Sequence, residues 1–237
     1  MRAVILAGGK GARLRPFTMT IPKPLLPLGD VPIIEVVLRQ LALAGVRRVA
    51  LTLGHMAHLF TAFFGTGERL GIELEYYVED EPLGTAGSLH LVKNLDEPFL
   101  VMNGDLLTTI DYRKLVQDHL ASGALGTIAV AKRNVNIDFG VIVGNERGEL
   151  VEYREKPTID YAVSMGINVL SPAAIEFIPR QAKFDMPDLM MAMKRAGRLV
   201  RCFDSDCYWQ DIGRFDDYQQ ASSDFAASPQ RFLPSDP

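Results

Sequence analysis

This sequence has few cysteines, no large excess of charge of either sign and no long apolar run. Its two cysteines, Cys202 and Cys207, are too few for a disulfide framework, and without nearby histidines they do not form a zinc site. The net charge is −4 and the charges are interspersed, so no broad basic surface is available to nucleic acid or anionic lipid. No segment is long enough to span a membrane. The sequence therefore predicts a soluble, cytoplasmic protein with ordinary thiols that binds neither nucleic acid nor membrane.

The first half of the chain alternates short apolar strands with amphipathic helices. A helix over 32–46 places Ile34, Val37, Leu38 and Leu41 on one face. Predicted strands cover 2–6, 49–53, 72–78, 99–102 and 127–131, and a helix begun by Asp111 lies between the last two. Strand 72–78 is predicted to be half-exposed, with Ile72, Leu74, Tyr76 and Val78 on one side. This repetition predicts an α/β fold, a Rossmann-like, mostly parallel sheet flanked by helices.

The pattern changes from about Gly140. A hairpin turning at 145–148 and a strand over 163–170 are followed by helices that begin at Ser171 and at Asp185. At 237 residues the chain suits one domain. We divide it into a first half (1–135), a smaller lobe (136–213) and a C-terminal helix and tail (214–237), loosely ordered after about Ser222.

The opening stretch is the most unusual part of the sequence. Residues 5–16 read ILAGGKGARLRP, and 22–32 read PKPLLPLGDVP. Cations this close together repel one another unless an anion lies among them, so the stretch is typical of a phosphate site. It is neither a dinucleotide fingerprint nor a Walker A loop, because the third glycine and the Gly-Lys-Ser/Thr ending are missing. For Gly8 and Gly9 alone, a tight turn explains the pattern equally well.

Six blocks in order extend this signal across residues 1–213. They are the glycine loop with Arg13, Pro16 and 22-PKPLLP-27, then 82-PLGTAG-87, 103-NGD-105, 139-FGV-141, 155-EKP-157 and 209-WQDIG-213. Together they resemble the sugar-1-phosphate nucleotidylyltransferases, most closely the mannose-1-phosphate guanylyltransferase branch and its heptose-phosphate relatives. Two positions depart from that pattern: Ala12 stands where threonine is common, and Gln210 where an aliphatic residue is expected. No hexapeptide repeat follows Gly213, so no β-helix domain is expected.

The resemblance implies a reaction and a set of site residues. A nucleotidyl group passes from a nucleoside triphosphate, GTP by preference, to a sugar 1-phosphate of mannose or heptose type, and pyrophosphate leaves. Arg13 and Lys23 are the implied catalytic cations, and Asp105 and Asp211 are the implied ligands of Mg²⁺. The implied nucleotide-binding residues are Leu6, Ala7, Gly8, Gly9, Gly11, Glu79, Pro82, Gly84, Thr85 and Asn103. The implied sugar-phosphate-binding residues are Gly140, Glu155, Lys156, Gly166 and Asn168.

The residue types suit this chemistry. Glycine lets backbone N–H groups approach phosphate closely. Arg13 can donate hydrogen bonds to two phosphate oxygens at once, and Lys23 supplies a point charge. Lys10 and Arg15 are weaker candidates, and Arg15 fits a surface position equally well. Taken alone, Asp105 is equally well explained as a turn residue, and EKP is more often a solvated charge run.

Glu79 is the predicted reader of the base. A carboxylate only accepts hydrogen bonds, and guanine offers two adjacent donors, N1–H and the 2-amino group. A uracil carbonyl would instead face a bare negative oxygen. Two alternatives stay open: Glu79 is one more solvated acid in the run 79–81, or Glu81 is the reader.

His55 and His58 have a spacing that could ligate a metal, but no third ligand is evident, so a surface or helix-start role is expected.

Two other functions fit the six sequence blocks. One is uridylyl, thymidylyl or cytidylyl transfer to another sugar phosphate or phospho-alcohol, and the other is a catalytically silent regulatory subunit. A silent regulatory subunit would be free to lose charged site residues, and none is missing. The sequence leaves homo-oligomer formation open.

Overall fold

The computed structural model describes residues 1–233, which form a layered α/β protein. Its strands are β1 (Arg2–Ala7), β2 (Pro27–Leu28), β3 (Val31–Pro32), β4 (Arg48–Leu53), β5 (Glu73–Val78), β6 (Phe99–Asn103), β7 (Leu106–Thr108), β8 (Gly126–Asn136), β9 (Val141–Gly144), β10 (Leu150–Arg154), β11 (Thr158–Leu170), β12 (Val200–Asp204) and β13 (Trp209–Asp211). Its α-helices are α1 (Ile33–Leu43), α2 (Ala57–Phe64), α3 (Gly84–Gly87), α4 (Tyr112–Ser122), α5 (Met186–Arg195), α6 (Phe215–Ala227) and α7 (Pro229–Phe232). Short 3₁₀ helices cover Ala12–Leu14, Phe17–Met19, Lys23–Leu25, Glu68–Leu70, Ser88–Leu91 and Pro172–Phe177.

The central sheet has seven strands in the order β12-β8-β11-β6-β1-β4-β5. Within it, β1, β4, β5 and β6 run parallel, as do β8 and β12, whereas β11 is antiparallel to both of its neighbours. The predicted mostly parallel sheet is therefore confirmed. Parallel strands of this kind bring their carboxyl ends to one edge, where ligands bind in such folds.

Helices cover both faces of the sheet. Residues of α1, α2 and α4 form one apolar core with one face, as predicted for Ile34, Val37, Leu38 and Leu41. Helix α5 and two 3₁₀ helices, Ser88–Leu91 and Pro172–Phe177, form a second core on the opposite face. A third cluster joins α6 and α7 to β2 and α1. Because each helix buries one apolar face, the helices fix the sheet from both sides.

The structure confirms the predicted starts of two helices. Helix α4 begins where predicted, and the Asp111 carboxylate accepts a hydrogen bond from Lys114 N–H at 3.0 Å. The helix predicted to begin at Ser171 is present as a short 3₁₀ helix, Pro172–Phe177. Strand β5 is an edge strand, and Val78 at its end is 54% exposed.

The end of the chain also differs from expectation. Helix α6 continues through Ser222 to Ala227, so the predicted loosely ordered segment is helical there. Phe225 and Phe232 bury apolar rings in the third cluster, which explains why this segment packs on the domain. The last part of the predicted tail, 234–237, lies outside the described residues.

The second half of the chain contributes to the central sheet. The predicted hairpin is present, with β9 and β10 paired antiparallel in a small separate sheet. Strand β11, which contains the predicted 163–170 strand, lies in the central sheet between β6 and β8. The division of the chain at 135/136 stays a prediction. No helix within residues 1–233 is long and apolar enough to cross a membrane.

Candidate active site

Two adjoining cavities form a cleft at the carboxyl ends of β1, β4 and β6. The first cavity, about 290 Å³, lies over the opening glycine loop. The second cavity, about 480 Å³, lies between β11, α5 and β13. Leu6, Thr85 and Asn103 line both cavities. The sheet and the elements packed on it therefore bring together residues as far apart in the sequence as Leu6 and Asp211.

The opening loop forms one wall of the first cavity. Ala7 is buried at the end of β1, and Gly8 and Gly9 follow it into the cavity wall. A Cβ atom on Gly8 would lie 2.9 Å from Glu79 Oε1, whereas a Cβ on Gly9 would meet no atom within 4 Å. Gly11 receives a 2.8 Å hydrogen bond on its carbonyl from the Thr18 hydroxyl. Packing therefore accounts for glycine at position 8 but not at position 9, where the space is open to a ligand.

A buried ion pair lies beside this loop. Lys23 is only 7% exposed, and its Nζ lies 2.5 Å from Asp105 Oδ2. Prolines on both sides and the buried Leu25 and Leu26 fix Lys23 in its 3₁₀ helix. Asp105 follows β6 directly, so a lysine near the start of the chain meets a carboxylate at the end of a central strand.

Asp211 is the second carboxylate at this point. Strand β13 pairs with β7, so that Asp211 is opposite Leu106, and Ile212 N–H donates to the Asp105 carbonyl at 3.1 Å. Burial raises the pKa of the Asp211 carboxyl, the negative charge of Asp105 raises it further, and Lys23 and Arg13 oppose both effects. The arrangement thus places two carboxylates and two cations together, with Arg13 exposed on the outer side.

Glu79 lies in the wall of the first cavity, as the sequence predicted for a base reader. Its Oε2 accepts a hydrogen bond from Leu83 N–H at 2.9 Å, and Oε1 faces Gly8. Burial raises the pKa of the Glu79 carboxyl, and the Leu83 hydrogen bond opposes this. Pro82 and Gly84 line the same cavity. Glu81 is exposed and is not among the lining residues within the described chain.

The second cavity is largely apolar and includes Gly166, Asn168 and Asp211 of the predicted residues. The pairing of β11 with β8 shifts register between Ser164 and Asn168, and Gly166 lies in this bulge with φ +69°. A Cβ on Gly166 would lie 2.6 Å from Asn103 Nδ2, so the glycine makes room for this side chain. Asn168 is buried beside it.

Three predicted sugar-phosphate residues lie elsewhere. Gly140 precedes β9, and Glu155 and Lys156 follow β10. None of the three is among the residues that line the two cavities in the described chain. Glu155 accepts a hydrogen bond from the Tyr153 hydroxyl at 3.2 Å, and both Glu155 and Lys156 are exposed. The structure therefore groups them on the hairpin, apart from the other predicted residues.

The remaining candidates do not line either cavity within the described chain. They include Arg13 and Lys23 of the charge cluster and Ala7 and Gly11 of the opening loop. His55, His58, Lys10 and Arg15 are exposed, and residues 1–233 contain no group of three or more His, Cys, Asp or Glu arranged to hold a metal. The two cysteines are free thiols, as predicted.

Several residues of the cleft were not predicted from the sequence. Thr52, Ser88 and Lys183 line the first cavity, and the hydroxyls of Thr52 and Ser88 are buried without a hydrogen-bond partner in the described chain. The second cavity is lined additionally by Leu106, Ile128, Ser164, Met165, Met186, Pro187, Met190, Met191 and Trp209. The run of methionines in 186–193 was a detectable signal, since flexible apolar side chains are common at binding surfaces. Lys183 has no comparable signal.

Known proteins share both the sequence pattern and the fold. Residues 2–228 match the model of the nucleotidyl transferase family. A UTP–glucose-1-phosphate uridylyltransferase of Synechocystis is 32% identical over 93% of this chain and 62% of its own length. A mannose-1-phosphate guanyltransferase of Emericella nidulans is 33% identical over 92% of this chain and 62% of its own length. The chain thus spans about 62% of the length of these two curated relatives.

A solved structure has the same fold. HddC from Yersinia pseudotuberculosis, complexed with GMP-PN, superposes with a TM-score of 0.72 at 24% sequence identity, covering 94% of this chain and 99% of that one. This similarity confirms the predicted fold class.

Proposed function

This chain belongs to the nucleotidyl transferase family, and from that premise we propose that it transfers a nucleotidyl group from a nucleoside triphosphate to a sugar 1-phosphate. A phosphate oxygen of the sugar 1-phosphate attacks the α-phosphorus and forms a new O–P bond. The bond from the α-phosphorus to the bridging oxygen breaks, and pyrophosphate takes its electron pair. We assign the nucleotide to the first cavity and the sugar 1-phosphate to the second.

The observation that carries this proposal is the charge cluster where the two cavities meet. Lys23 and Arg13 lie beside a glycine loop with open space at Gly9, as required for binding a polyphosphate. Lys23 is held by Asp105 before substrate arrives, so little reorganisation of this cation is needed as negative charge develops on the departing pyrophosphate. Lys23 is buried, which strengthens its interaction with that charge relative to a solvated lysine.

The two carboxylates fit a magnesium ion. Asp211 is half-buried next to Asp105, and its pKa is raised by burial and by the Asp105 charge, so a cation between them would relieve an unfavourable pair. Two carboxylates, completed by water and substrate phosphate, are a common protein contribution to a Mg²⁺ site. When bound, Mg²⁺ would offset the charge of the two phosphate groups that must approach one another.

For the base, we propose guanine, read by Glu79. Its carboxylate is an acceptor in a partly desolvated wall and suits the adjacent N1–H and 2-amino donors of guanine. The two relatives named above, a uridylyltransferase and a guanyltransferase, are 32% and 33% identical and so do not favour either base. The guanine assignment therefore depends on Glu79.

For the acceptor, we propose a mannose- or heptose-type 1-phosphate in the second cavity. Asn103, Asn168 and the Gly166 backbone offer polar groups for hydroxyls, and the apolar wall suits the face of a sugar ring. Glu155, Lys156 and Gly140 contribute only if the hairpin approaches the cleft when substrate binds.

A matrix of pyrophosphate-release assays tests this function. GTP, UTP, dTTP and CTP are each combined with mannose 1-phosphate, heptose 1-phosphate and glucose 1-phosphate, with and without Mg²⁺. We expect Mg²⁺-dependent release and a preference for GTP of about 10²-fold in kcat/KM. Absence of release with every pair would contradict the transfer function.

The matched variants Glu79→Gln and Glu81→Gln test the base assignment. Each replaces one carboxylate by an amide, but only Glu79 lines the first cavity. We expect Glu79→Gln to reduce the GTP/UTP ratio and Glu81→Gln to leave it unchanged. A wild-type preference for a pyrimidine triphosphate, or the reverse effect of the two variants, would reject Glu79 as the guanine reader.

A further inference from the structure

Two segments that are about a hundred residues apart in the sequence are joined at the wall of the cleft. One is the loop 83–87, which contains α3, and the other is the segment 182–186, which leads into α5. Ala86 N–H and Gly87 N–H both donate to the Phe184 carbonyl at 2.9 Å, and Phe184 N–H donates to the Leu83 carbonyl at 2.9 Å. These bonds fix the backbones of the two segments against each other.

The side chains of Thr85 and Asp185 complete the junction. Thr85 N–H donates to Asp185 Oδ1 at 3.0 Å, and the Thr85 hydroxyl donates to the same oxygen at 3.3 Å. Met186 N–H in turn donates to Thr85 Oγ1 at 2.7 Å. Both donors of Thr85 are therefore directed to Asp185 rather than into the cleft.

This pattern is not ordinary helix capping. Asp185 stands at the N-cap position of α5, yet its side chain accepts no hydrogen bond from its own helix. The Thr85 hydroxyl accepts the bond from the first residue of α5 instead, and Asp185 is directed to Thr85. Asp111 shows the usual arrangement, since it caps its own helix α4 through Lys114 N–H. The carboxylate of Asp185 is thus used to hold the loop.

The junction lies where both cavities meet. Thr85 lines the first and the second cavity. Next to the junction, Lys183 lines the first cavity, and Met186 and Pro187 line the second. Within the described chain, Asp185 itself is not among the residues that line either cavity.

The approach of the two segments leaves no spare room. Gly84 has φ +78°, and a Cβ atom there would lie 2.6 Å from the Phe184 carbonyl oxygen and 2.7 Å from Asp185 Oδ1. A displacement of Asp185 would therefore also displace the loop 83–87, which forms part of the wall of both cavities.

We propose that Asp185 is a positioning residue for the nucleotidyl transfer. Through Thr85 it fixes the wall shared by the two cavities, so that both substrates depend on a carboxylate that touches neither of them. The inference rests on the proposed function, because it assigns one substrate to each cavity. A small displacement of a positioned reactant can reduce a rate by about 10²-fold.

Kinetic constants of four variants and a matched control test the inference. Asp185→Ala removes the acceptor of both Thr85 donors, and Thr85→Val removes the two hydrogen bonds of the Thr85 hydroxyl. Asp185→Asn and Thr85→Ser keep an oxygen at the same position. We expect Asp185→Ala and Thr85→Val to lower kcat/KM by about 10- to 100-fold and to raise the KM of both substrates. Asp185→Asn should remain within about threefold of the wild type, and Thr85→Ser should restore part of the activity that Thr85→Val loses.

Asp111→Ala is the control, because it removes a helix cap away from the cleft. It should lower the thermal midpoint without changing either KM. Assays are run well below the midpoint of every variant, so that unfolding does not enter the rates. If Asp185→Ala leaves both KM values and kcat unchanged, as Asp111→Ala does, the positioning role is overturned and Asp185 has only a structural role.

A separate binding measurement distinguishes failure of the inference from failure of the proposed function. Calorimetric titration with GTP and, separately, with mannose 1-phosphate does not require turnover. A wild-type protein that binds both but releases no pyrophosphate contradicts the proposed transfer. Asp185→Ala that binds both ligands with wild-type affinity overturns the inference whether or not turnover is observed.

Discussion

The two cavities of the cleft are built differently. The first cavity is formed by loops that directly follow β1, β5 and β6, and it contains glycines and charged side chains. The second cavity is formed mainly by β11, α5 and β13, and its lining is rich in methionine. Its residues become neighbours only because β11 runs antiparallel between β6 and β8. The difference shows that electrostatic sites can be encoded in short motifs, whereas an apolar acceptor site depends on the packing of distant elements.

The largest expected effect concerns Asp211, where the two cavities meet. Asp211→Asn removes one charge of the proposed Mg²⁺ site, so we expect kcat to fall by at least about 10²-fold. The unliganded protein should be as stable as the wild type or more so, because Asp211 is a half-buried carboxylate next to Asp105 and its pKa is raised. Pyrophosphate release and thermal unfolding measure the two effects.

Asp105→Asn provides the contrast. It should also reduce kcat strongly, but it removes the partner of the buried Lys23 and should therefore cost about 1.5–3 kcal/mol of stability. Near-wild-type Mg²⁺-dependent turnover of either variant would reject that residue as a ligand.

The next effect distinguishes two adjacent glycines of the first cavity. Gly9→Ala places a methyl group in space that is empty of protein atoms, so we expect unchanged stability but a loss of about tenfold or more in GTP affinity. Gly8→Ala would press on the Glu79 carboxylate and should alter base selectivity as well. Titration calorimetry with GTP and UTP measures both. Wild-type GTP affinity in Gly9→Ala would show that the polyphosphate does not occupy this space.

A smaller effect tests the second cavity alone. Met191 is 42% exposed and lines this cavity, so Met191→Ala should raise the KM for the sugar 1-phosphate by about fivefold and leave the KM for GTP unchanged. Leu199→Ala is the control, since Leu199 is an exposed apolar residue outside the cleft. A rise in the GTP KM instead would mean that the two cavities are assigned in reverse.

The smallest effect lies outside the cleft and concerns pH. His119 is buried between the hydroxyls of Thr127 and Ser171, at 2.8 and 3.1 Å, and burial lowers its pKa while Asp118 partly opposes this. The unfolded state binds the proton more tightly than the folded state. The contribution of neutral His119 to the free energy of unfolding is therefore complete above about pH 6.5, and it is lost as pH falls through the folded-state pKa.

We therefore expect denaturant titrations of the wild type to lose stability on acidification from about pH 6.5 more steeply than those of His119→Gln. The two proteins are compared at each pH, so contributions from other groups cancel. Parallel curves for the two proteins would contradict a lowered pKa for His119.

Local sequence patterns predicted the helices and strands well where caps and the spacing of apolar residues within one element determine them. Helix α4 begins at the predicted cap, and the four apolar residues of α1 are buried as their spacing indicates. The predictions failed where distant contacts decide the outcome. After Ser222 the chain is helical to Ala227 and again over Pro229–Phe232, because Phe225 and Phe232 pack in the third apolar cluster, and the polar composition of that segment does not show this.

The same distinction applies to the site. Gly8, Gly9, Glu79 and Asp105 could be predicted as a group, because parallel strands bring their carboxyl ends to one edge of the sheet. Lys183 could not, since it reaches the first cavity only through the junction between 83–87 and 182–186. Gly140, Glu155 and Lys156 were predicted for the cleft and lie on the hairpin, so their role stays a prediction.

The sequence by itself determined the alternation of strands and helices, the glycine loop with its nearby cations, and the aspartates and glutamate that follow or flank the strands. These features depend on backbone preferences and on charge spacing, which act over a few residues. Only the tertiary structure decided that Lys23 pairs with Asp105, that Asp211 lies beside them, and that Asp185 holds Thr85. Such contacts join segments that are about 80 to 100 residues apart, and strand order and helix packing, which bring them together, are not specified by any local pattern.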